Sequence, residues 1–481
     1  MSGQITFLLN GKLQRPADVA PTTTLYQLIR DSGLTGTKEG CAEGDCGACT
    51  VALGAIEDGK LRLRAVNSCI LLVGQLQGKS VTTVEAISGP AGALHPVQRA
   101  MVDNHGSQCG FCTPGFVMSM YVAHAMGFRS EHLDDINDLL AGNLCRCTGY
   151  GPIIEAVRQM MKVPGASWDI ARREAEAKAL RAVEIDTVAM AGSGRKLFSP
   201  VSIAELVQVL KYQPNATIVA GATDVGLWVT KQHRELRTIV HIDRIAELRA
   251  ISRSADVLSI GAAVTYADLP DLLYDHYPAL RDLIRRIGST QVRNSGTIGG
   301  NIANGSPIGD MAPALIALDS TLVLRGVNGQ RRIPLEDFFI AYGKQDRRTG
   351  EFIETIEIPL AAKPRNFQCY KISKRRDQDI SAVCGAFNIG IENGAVKRAR
   401  IAYGGMAAIP KRAAHVEAAL IGEQWSLATI ELALSAYAVD YQPISDVRAS
   451  ADYRLTVAQN LLRRCYLESD TSPIRLAELS A

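Results

Sequence analysis

The sequence has almost no excess of charge: 52 Lys plus Arg stand against 49 Asp plus Glu, a net of +3 over 481 residues. With no long basic block, there is no electrostatic footprint for nucleic acid, and none is expected as a partner. Long apolar runs are missing as well. The opening MSGQITFLLNGKLQRP offers only Ile5 to Leu9, broken by Thr6, with no basic region before it and no small-residue cleavage site, so it does not read as a secretory signal. The richest later stretch, Ile218 to Val229, contains Asp224 and falls short of the roughly 20 apolar residues a bilayer helix needs. No membrane association is expected, and the location expected is cytoplasmic. G-x-G-x-x-G and Walker G-K-[ST] patterns are also absent, which leaves a Rossmann dinucleotide fold and a P-loop unsupported. The eight histidines show no metal-ligand spacing and no paired nucleophile, and are expected on surfaces or helix sides. No catalytic residue is assigned.

What is present is a folded chain, 47% hydrophobic and 21% charged, too long for one core and suited to two to four domains. Its cysteines are polarised. Eight of the eleven, at 41, 46, 49, 69, 109, 112, 145 and 147, fall in the first 147 residues. Cys369, Cys384 and Cys465 occur singly and read as buried free thiols, because isolated Cys packs as a small hydrophobe. In a reducing compartment the clustered eight point to metal rather than disulfides. Cys41, Cys46 and Cys49 form C-x4-C-x2-C with Cys69 arriving later, the plant-type ferredoxin arrangement for a [2Fe-2S] cluster. Gly40, Gly44 and Gly47 let such a loop turn tightly and aim N–H groups at sulfur. Cys109 and Cys112 with Cys145 and Cys147 make a second four-thiolate set, for which zinc is a competitor because many metals share C-x2-C.

Local patterns place these ligands. Ile5, Phe7 and Leu9 alternate before Asn10-Gly11, predicting a hairpin. Thr24 to Arg30 reads as a short helix and Cys49 to Leu53 as a strand. Pro114 to Met126 and Leu133 to Leu140 have helical spacing, with Ser130 a candidate cap, so two helices are expected to present their ends to the second set. Asn143, Gly149 and Gly151 read as turn and exit. Ala171 to Arg181 is charged and Ala-rich, a solvated helix or linker. Beyond it, Ile218 to Gly226 and Gly288 to Asn301 are glycine-rich. Gly299 and Gly300 would let backbone N–H groups approach a diphosphate, with Thr223 and Asn301 adding hydrogen bonds.

GTKEGCAEGDCGACTV, QCGFCTPGFVMS and NLCRCTGYGPI, holding all eight cysteines in order, resemble the iron–sulfur part of the molybdenum hydroxylases, the xanthine dehydrogenase and aldehyde oxidase family. The likeness continues through Ala220 to Asp224, Gly296 to Asn301, Ser306 to Asp310 and Tyr370 to Ile380. It implies an α+β multidomain chain: a β-grasp ferredoxin-like domain over 1–85, a helical-bundle [2Fe-2S] domain over 86–165, a linker over 166–192, an α+β FAD domain over 193–365 and an α+β flavoprotein C-terminal domain over 366–481. By resemblance Cys41, Cys46, Cys49 and Cys69 hold one cluster, and Cys109, Cys112, Cys145 and Cys147 the other. For FAD it implies Ile218, Val219, Ala220, Gly221, Ala222, Thr223, Asp224 and Val225 on the adenine and diphosphate side. Thr297, Ile298, Gly299, Gly300 and Asn301 would clasp the diphosphate, with Asp310, Ile353 and Lys371 as further contacts. Ile287 departs from relatives that place an aromatic residue against the flavin. The charged run Lys371 to Asp379 is either a solvated loop or a loop near the flavin where NAD+ arrives.

The resemblance further implies electron transfer from a molybdopterin-binding partner chain, in a heterotetramer of two small and two large subunits, through both clusters and FAD to NAD+. Fusion of both iron–sulfur domains to the FAD domain favours the xanthine-oxidising branch. The alternatives are an enzyme for an aldehyde or another N-heterocycle, or a non-catalytic metal-binding electron carrier.

Overall fold

The computed structural model describes residues 3–17, 19–183, 186–192, 194–360 and 366–470. The expected domain edges at 193 and 365 lie outside these residues. The chain divides into two compact units, one of residues 1–247, 265–267 and 288–297, the other of 248–264, 268–287 and 298–481. These units cut across the range expected for the FAD domain.

In the first unit, Asn10 (φ 51°) and Gly11 (φ 77°) make the expected tight turn between strands Phe7–Leu9 and Lys12–Gln14. Phe7–Leu9 also runs parallel to Ser80–Thr82, which pairs with Thr50–Glu57, itself antiparallel to Lys60–Asn67. Against this five-stranded sheet lies helix Leu25–Asp31, begun by the Thr24 side chain accepting from Gln27 N while Gln27 bonds back to Thr24 N. That reciprocal capping satisfies two of the donors a helix start leaves open.

Four helices follow: Pro96–Asp103, Thr113–Ala125, Leu133–Leu140 and Gly151–Met160. Their apolar faces meet around Phe116, Met120, Ile136, Ile153 and Val157, and this core includes Ala52 and Ala65 of the sheet. Ser130 is not the helix cap. His132 takes that position without a side-chain bond, and Ser130 Oγ instead bonds Asp135 Oδ2 at 2.6 Å.

The charged stretch read as a solvated helix or linker is helix Ser167–Arg181, but its inner face is buried rather than solvated. Asp169 receives Tyr121 OH at 2.9 Å and Arg173 Nε at 2.9 Å, and Arg172 pairs with both Asp169 and Glu176. Buried charges of this kind persist only when paired, and here the pairs form along the helix itself, with the Tyr121 hydroxyl joining from 48 positions away. Beyond this helix, a four-stranded sheet in the order Val188–Gly192, Arg195–Ser199, Thr238–His241, Thr217–Val219 carries the first glycine-rich loop at the end of its edge strand.

The histidines also differ from expectation. His95 and His241 are fully buried and His124 nearly so. Burial pushes the His241 imidazole down to about 4, against the upward pull of Asp243, and neither ring nitrogen has a hydrogen-bond partner among the described residues. Burial likewise lowers His95 to about 4. An unfolded imidazole takes a proton near pH 6.5, so as pH falls from about 6.5 to 4 the unfolded chain binds protons that the folded chain refuses. Stability must therefore decline across that window, by on the order of 3 kcal/mol per histidine. The thermal midpoint of wild type is expected to drop more steeply between pH 6.5 and 4.5 than that of His241→Leu. Equal slopes would refute a neutral buried His241.

The second unit holds an antiparallel sheet in the order Ile251–Arg253, Val257–Gly261, Phe352–Pro359, Thr321–Gly326, Gly329–Pro334. It also holds a meander of Phe367–Ile372, Val383–Glu392, Ala395–Gly404 and Lys411–Arg412. The long helix Ala451–Asp470 and shorter helices close the meander's core around Phe387, Tyr403, Tyr437 and Tyr441. Cys465 sits in that core, and Cys369 and Cys384 are buried too, as isolated thiols should be. No helix among the described residues is long and apolar enough to cross a membrane.

Candidate functional site

The loop from Gly40 to Cys49 wraps back on one sulfur. With Ala42 (φ 56°), Gly44 (φ 79°) and Gly47 (φ 71°) in the left-handed region, the amides of Glu43, Asp45 and Cys46 point at Cys41 Sγ from 3.4, 3.4 and 3.3 Å. Hydrogen bonds from the Cys46 and Cys69 thiols, aided by these amides, hold the Cys41 thiol well below its ordinary range. Cys49, the last loop cysteine, and Cys69, arriving after strand Lys60–Asn67, are each 1% exposed and face one another. Ser68 Oγ donates to Cys49 O at 2.7 Å and Asn67 Nδ2 to Gly44 O at 2.8 Å, which ties the two segments.

The second set also brings its thiols together. Cys112 faces Cys145, and Cys109 faces Cys147. Burial, then the neighbouring Cys145, pushes the Cys112 thiol up to about 12. Tyr150, held at φ 68°, turns its hydroxyl to accept from Cys145 N at 2.9 Å. In the first seat Cys41 meets Cys46 and Cys69, and Cys69 meets Cys49, so each seat brings four thiols together, the donor set of a two-iron cluster, and the residues present fit one at each seat.

The two seats interlock. Leu144 N donates to Cys46 O at 3.0 Å and Asn143 Nδ2 to Gly47 O at 3.0 Å. A Cβ on Gly47 would stand 2.0 Å from Gly142 O, so glycine is required there by contact as well as by φ. Asn143, read from sequence as a turn marker, is a buried connector.

The first glycine-rich loop is fastened to the same unit. Gln75 Nε2 donates to Ala220 O at 3.0 Å, and a Cβ on Gly226 would meet Ile70 O at 2.6 Å, directly beside Cys69. Leu227 packs on Cys49, Cys69 and Ile70. Ala222 is held at φ 61°, and Val219 and Ala222 are buried with Leu72. A Cβ on Gly221 would lie 1.7 Å from Ser295 O, so the loop rests backbone on backbone against the start of the second run. Ile218, Thr223, Asp224 and Val225 lie on the same short stretch, and Thr297 bridges Thr265.

In the other unit the second run continues as helix Ile298–Asn304. Gly299 does not present an open amide to a diphosphate. Its N–H donates to Ala262 O at 3.0 Å and a Cβ would strike Ala262, so this glycine serves helix-on-strand packing. Gly300 follows it in that helix. Asn301 Oδ1 is buried without a hydrogen-bond partner among the described residues, an acceptor suited to a ligand hydroxyl. Asp310 and Lys371 meet at 2.7 Å, with Ser381 Oγ also donating to Asp310 and Lys371 Nζ donating to Arg286 O at 3.1 Å. Ile287 is half-buried beside that arginine, while Ile353 is buried in the sheet opposite Leu324. Of the run Lys371 to Asp379, Lys371, which is buried, and Ile372 end the strand Phe367–Ile372 and the rest is irregular, with Arg375 bonded to Asp379.

Four sequence families match the chain. They are the 2Fe-2S iron-sulfur cluster binding domain at 7–74, the [2Fe-2S] binding domain at 83–158, the FAD binding domain in molybdopterin dehydrogenase at 191–361 and the CO dehydrogenase flavoprotein C-terminal domain at 368–469. Xanthine dehydrogenase of Drosophila subobscura is 32% identical over 85% of this chain and 35% of its own length. Aldehyde oxidase of Homo sapiens is 28% identical over 97% of this chain and 39% of its own. The chain thus spans little more than a third of these curated relatives. Among solved structures, a chain of carbon monoxide dehydrogenase from Hydrogenophaga pseudoflava aligns at TM-score 0.54 and 28% identity, covering 57% of this chain and 96% of that one. One of quinoline 2-oxidoreductase from Pseudomonas putida 86 aligns at 0.52 and 27%, covering 56% and 95%. With two [2Fe-2S] domains followed by the flavin domain and its C-terminal companion, the chain fits the molybdenum hydroxylase family as its iron–sulfur and FAD part.

Proposed function

We propose that this chain is the iron–sulfur and FAD subunit of a xanthine dehydrogenase, paired with a molybdopterin-bearing chain in a two-plus-two assembly and reducing NAD+. When bound, the clusters would carry single electrons inward from the partner, and FAD would collect two and pass them on as hydride. Cys41, Cys46, Cys49 and Cys69 hold the inner cluster, and Cys109, Cys112, Cys145 and Cys147 the outer one. Ile218–Val225 and Thr297 in one unit, and Ile298, Gly300, Asn301, Asp310, Ile353 and Lys371 in the other, are the residues proposed to contact FAD, with Gly299 serving the packing of its own helix.

The observation that carries the reading is the unbroken contact within one unit from Cys145 to the glycine-rich loop. Leu144 bonds Cys46, Cys69 is followed by Ile70, and Ile70 lies against Gly226. Exposure gives this chain of contacts a direction. Cys109 and Cys147 are open to solvent, where a partner can reach, whereas Cys49 and Cys69 are sealed. Three amides aimed at the Cys41 sulfur would favour the reduced, more negative cluster, against the opposing effect of burial around Cys49 and Cys69. A second reading, oxidation of an aldehyde or N-heterocycle, draws on the likeness to human aldehyde oxidase and to quinoline 2-oxidoreductase.

The chain co-purified with its partner should carry about four irons and one FAD. Stopped-flow reoxidation of the reduced complex should be much faster with NAD+ than with air. The reverse order would defeat the NAD+ assignment, and turnover of aldehydes or quinoline but not xanthine would favour the second reading.

A further inference from the structure

The segment that opens the second glycine-rich run does not all face a nucleotide. Residues 289–295 grip the cysteine-bearing part of the same unit. Arg293 Nη2 reaches both carboxylate oxygens of Asp138 at 2.7 and 2.9 Å, Thr290 Oγ1 donates to Asp138 O at 3.2 Å, and Asn294 Nδ2 donates to Ala65 O at 2.9 Å. Between these two grips stands Gln291, 1% exposed. Its Nε2 lies 3.2 Å from Thr50 Oγ1, 3.1 Å from Ser119 Oγ and 3.0 Å from Asn143 Oδ1.

Each of those atoms belongs to a different part of the two cysteine seats. Thr50 follows Cys49 and donates its own hydroxyl to Gly47 O at 2.7 Å. Ser119 lies on the helix that begins at Cys112 and donates to Asn143 Oδ1 at 2.6 Å. Asn143 stands two residues before Cys145 and bonds Gly47 O and Thr50 Oγ1. The two hydroxyl protons are thus already committed, and the two Gln291 amide protons are shared among the three oxygens, while Gln291 Oε1 is buried without a hydrogen-bond partner among the described residues. Removing the carboxamide leaves Ser119 Oγ without its donor and takes one donor from each of Asn143 Oδ1 and Thr50 Oγ1, which loosens the network at its centre.

The geometry points to Gln291 as the positioning residue that fixes the separation of the two cysteine seats, with Arg293 and Asn294 holding it in place. This rests on the electron-transfer reading above. Electron tunnelling falls steeply with distance, so a residue that sets this gap sets the rate between the seats without touching either. The flavin-bearing loop thereby also specifies the spacing of the clusters.

Two variants test it by different routes. Gln291→Leu keeps the bulk and removes the donors. Gly142→Ala leaves Gln291 in the sequence but places a Cβ 1.8 Å from its Oε1, displacing the carboxamide. In the full chain with its partner, reduced wild type should show the low-temperature EPR splitting of two neighbouring paramagnetic clusters. Both variants should retain wild-type iron and FAD, show each cluster's own signal, lose or change the splitting, and transfer electrons between clusters several-fold more slowly in stopped-flow. Unchanged splitting and rate in both variants would overturn the proposal. So would loss of iron from both, which would make the network a folding element only. Wild type lacking two iron signals would instead defeat the underlying reading.

Discussion

Replacing Cys69 with serine is expected to halve the iron and sulfide bound per chain, from about four irons to about two, while flavin content stays at wild-type level. The residue is 1% exposed and lies beside Cys49 and Cys41, so its thiolate closes the seat from within the fold. Serine keeps the size but offers a poorly ionised hydroxyl where a soft thiolate is needed. The loss would spread through the inner seat. Ser68 and Asn67 bond Cys49 O and Gly44 O, so the segment that carries Cys69 also steadies the Gly40 to Cys49 loop. A cluster that closes two segments contributes folding free energy, and its absence lowers stability as well as content. Cys465→Ala is the control: that thiol is equally buried but sits alone in the aromatic core of the second unit, and its loss should leave iron untouched. Iron and sulfide assays on the purified chains decide the matter, and full iron in Cys69→Ser would exclude the residue as a ligand.

What the sequence disclosed was whatever depends on neighbours along the chain. Cysteine spacing, the Asn10-Gly11 turn, the short helix expected over Thr24 to Arg30 and the helix Leu133–Leu140 are all local, and each is found within a residue of where the pattern puts it. Helix Gly151–Met160 was hidden because its Gly-Pro start, behind a left-handed Tyr150, reads as the exit of a turn. Helix Ser167–Arg181 read as solvated because its charges neutralise one another along the helix face that the fold buries, with Tyr121, 48 positions away, donating to Asp169. His95 and His241 went unnoticed for the same reason, since burial is decided by elements distant in sequence. The glycines show the limit most plainly. Sequence grouped Gly299 with a phosphate-binding role, whereas its amide and missing Cβ both answer to Ala262. Asn143 read only as a turn marker inside a cysteine motif, and Gln291 only as part of a glycine-rich run. Only contacts 148 to 241 residues apart in sequence reveal them as one network.

Gly221→Ala is expected to weaken FAD binding by about a hundredfold, the equivalent of ~3 kcal/mol of overpacking, while leaving both clusters in place. The added methyl would stand 1.7 Å from Ser295 O, 2.4 Å from Ser295 C and 3.0 Å from Gly296 N, all backbone atoms that cannot rotate aside. The loop cannot yield in the other direction without cost either. Gln75 holds Ala220 O at 3.0 Å, and Gly226 is pressed on Ile70. The methyl must therefore part the first loop from the segment that leads into Thr297–Asn301, and those are the two stretches proposed to close on the diphosphate. The cysteine seats lie beyond Ile70 and keep their own hydrogen bonds, so iron should be retained. Gly192→Ala is the matched control, because a Cβ there has nothing nearer than Val19 O at 3.9 Å. Flavin titration of the deflavinated chains gives the two dissociation constants. Wild-type affinity in Gly221→Ala would remove this loop from the flavin site, whereas loss of flavin with full iron would separate the nucleotide seat from the clusters it adjoins.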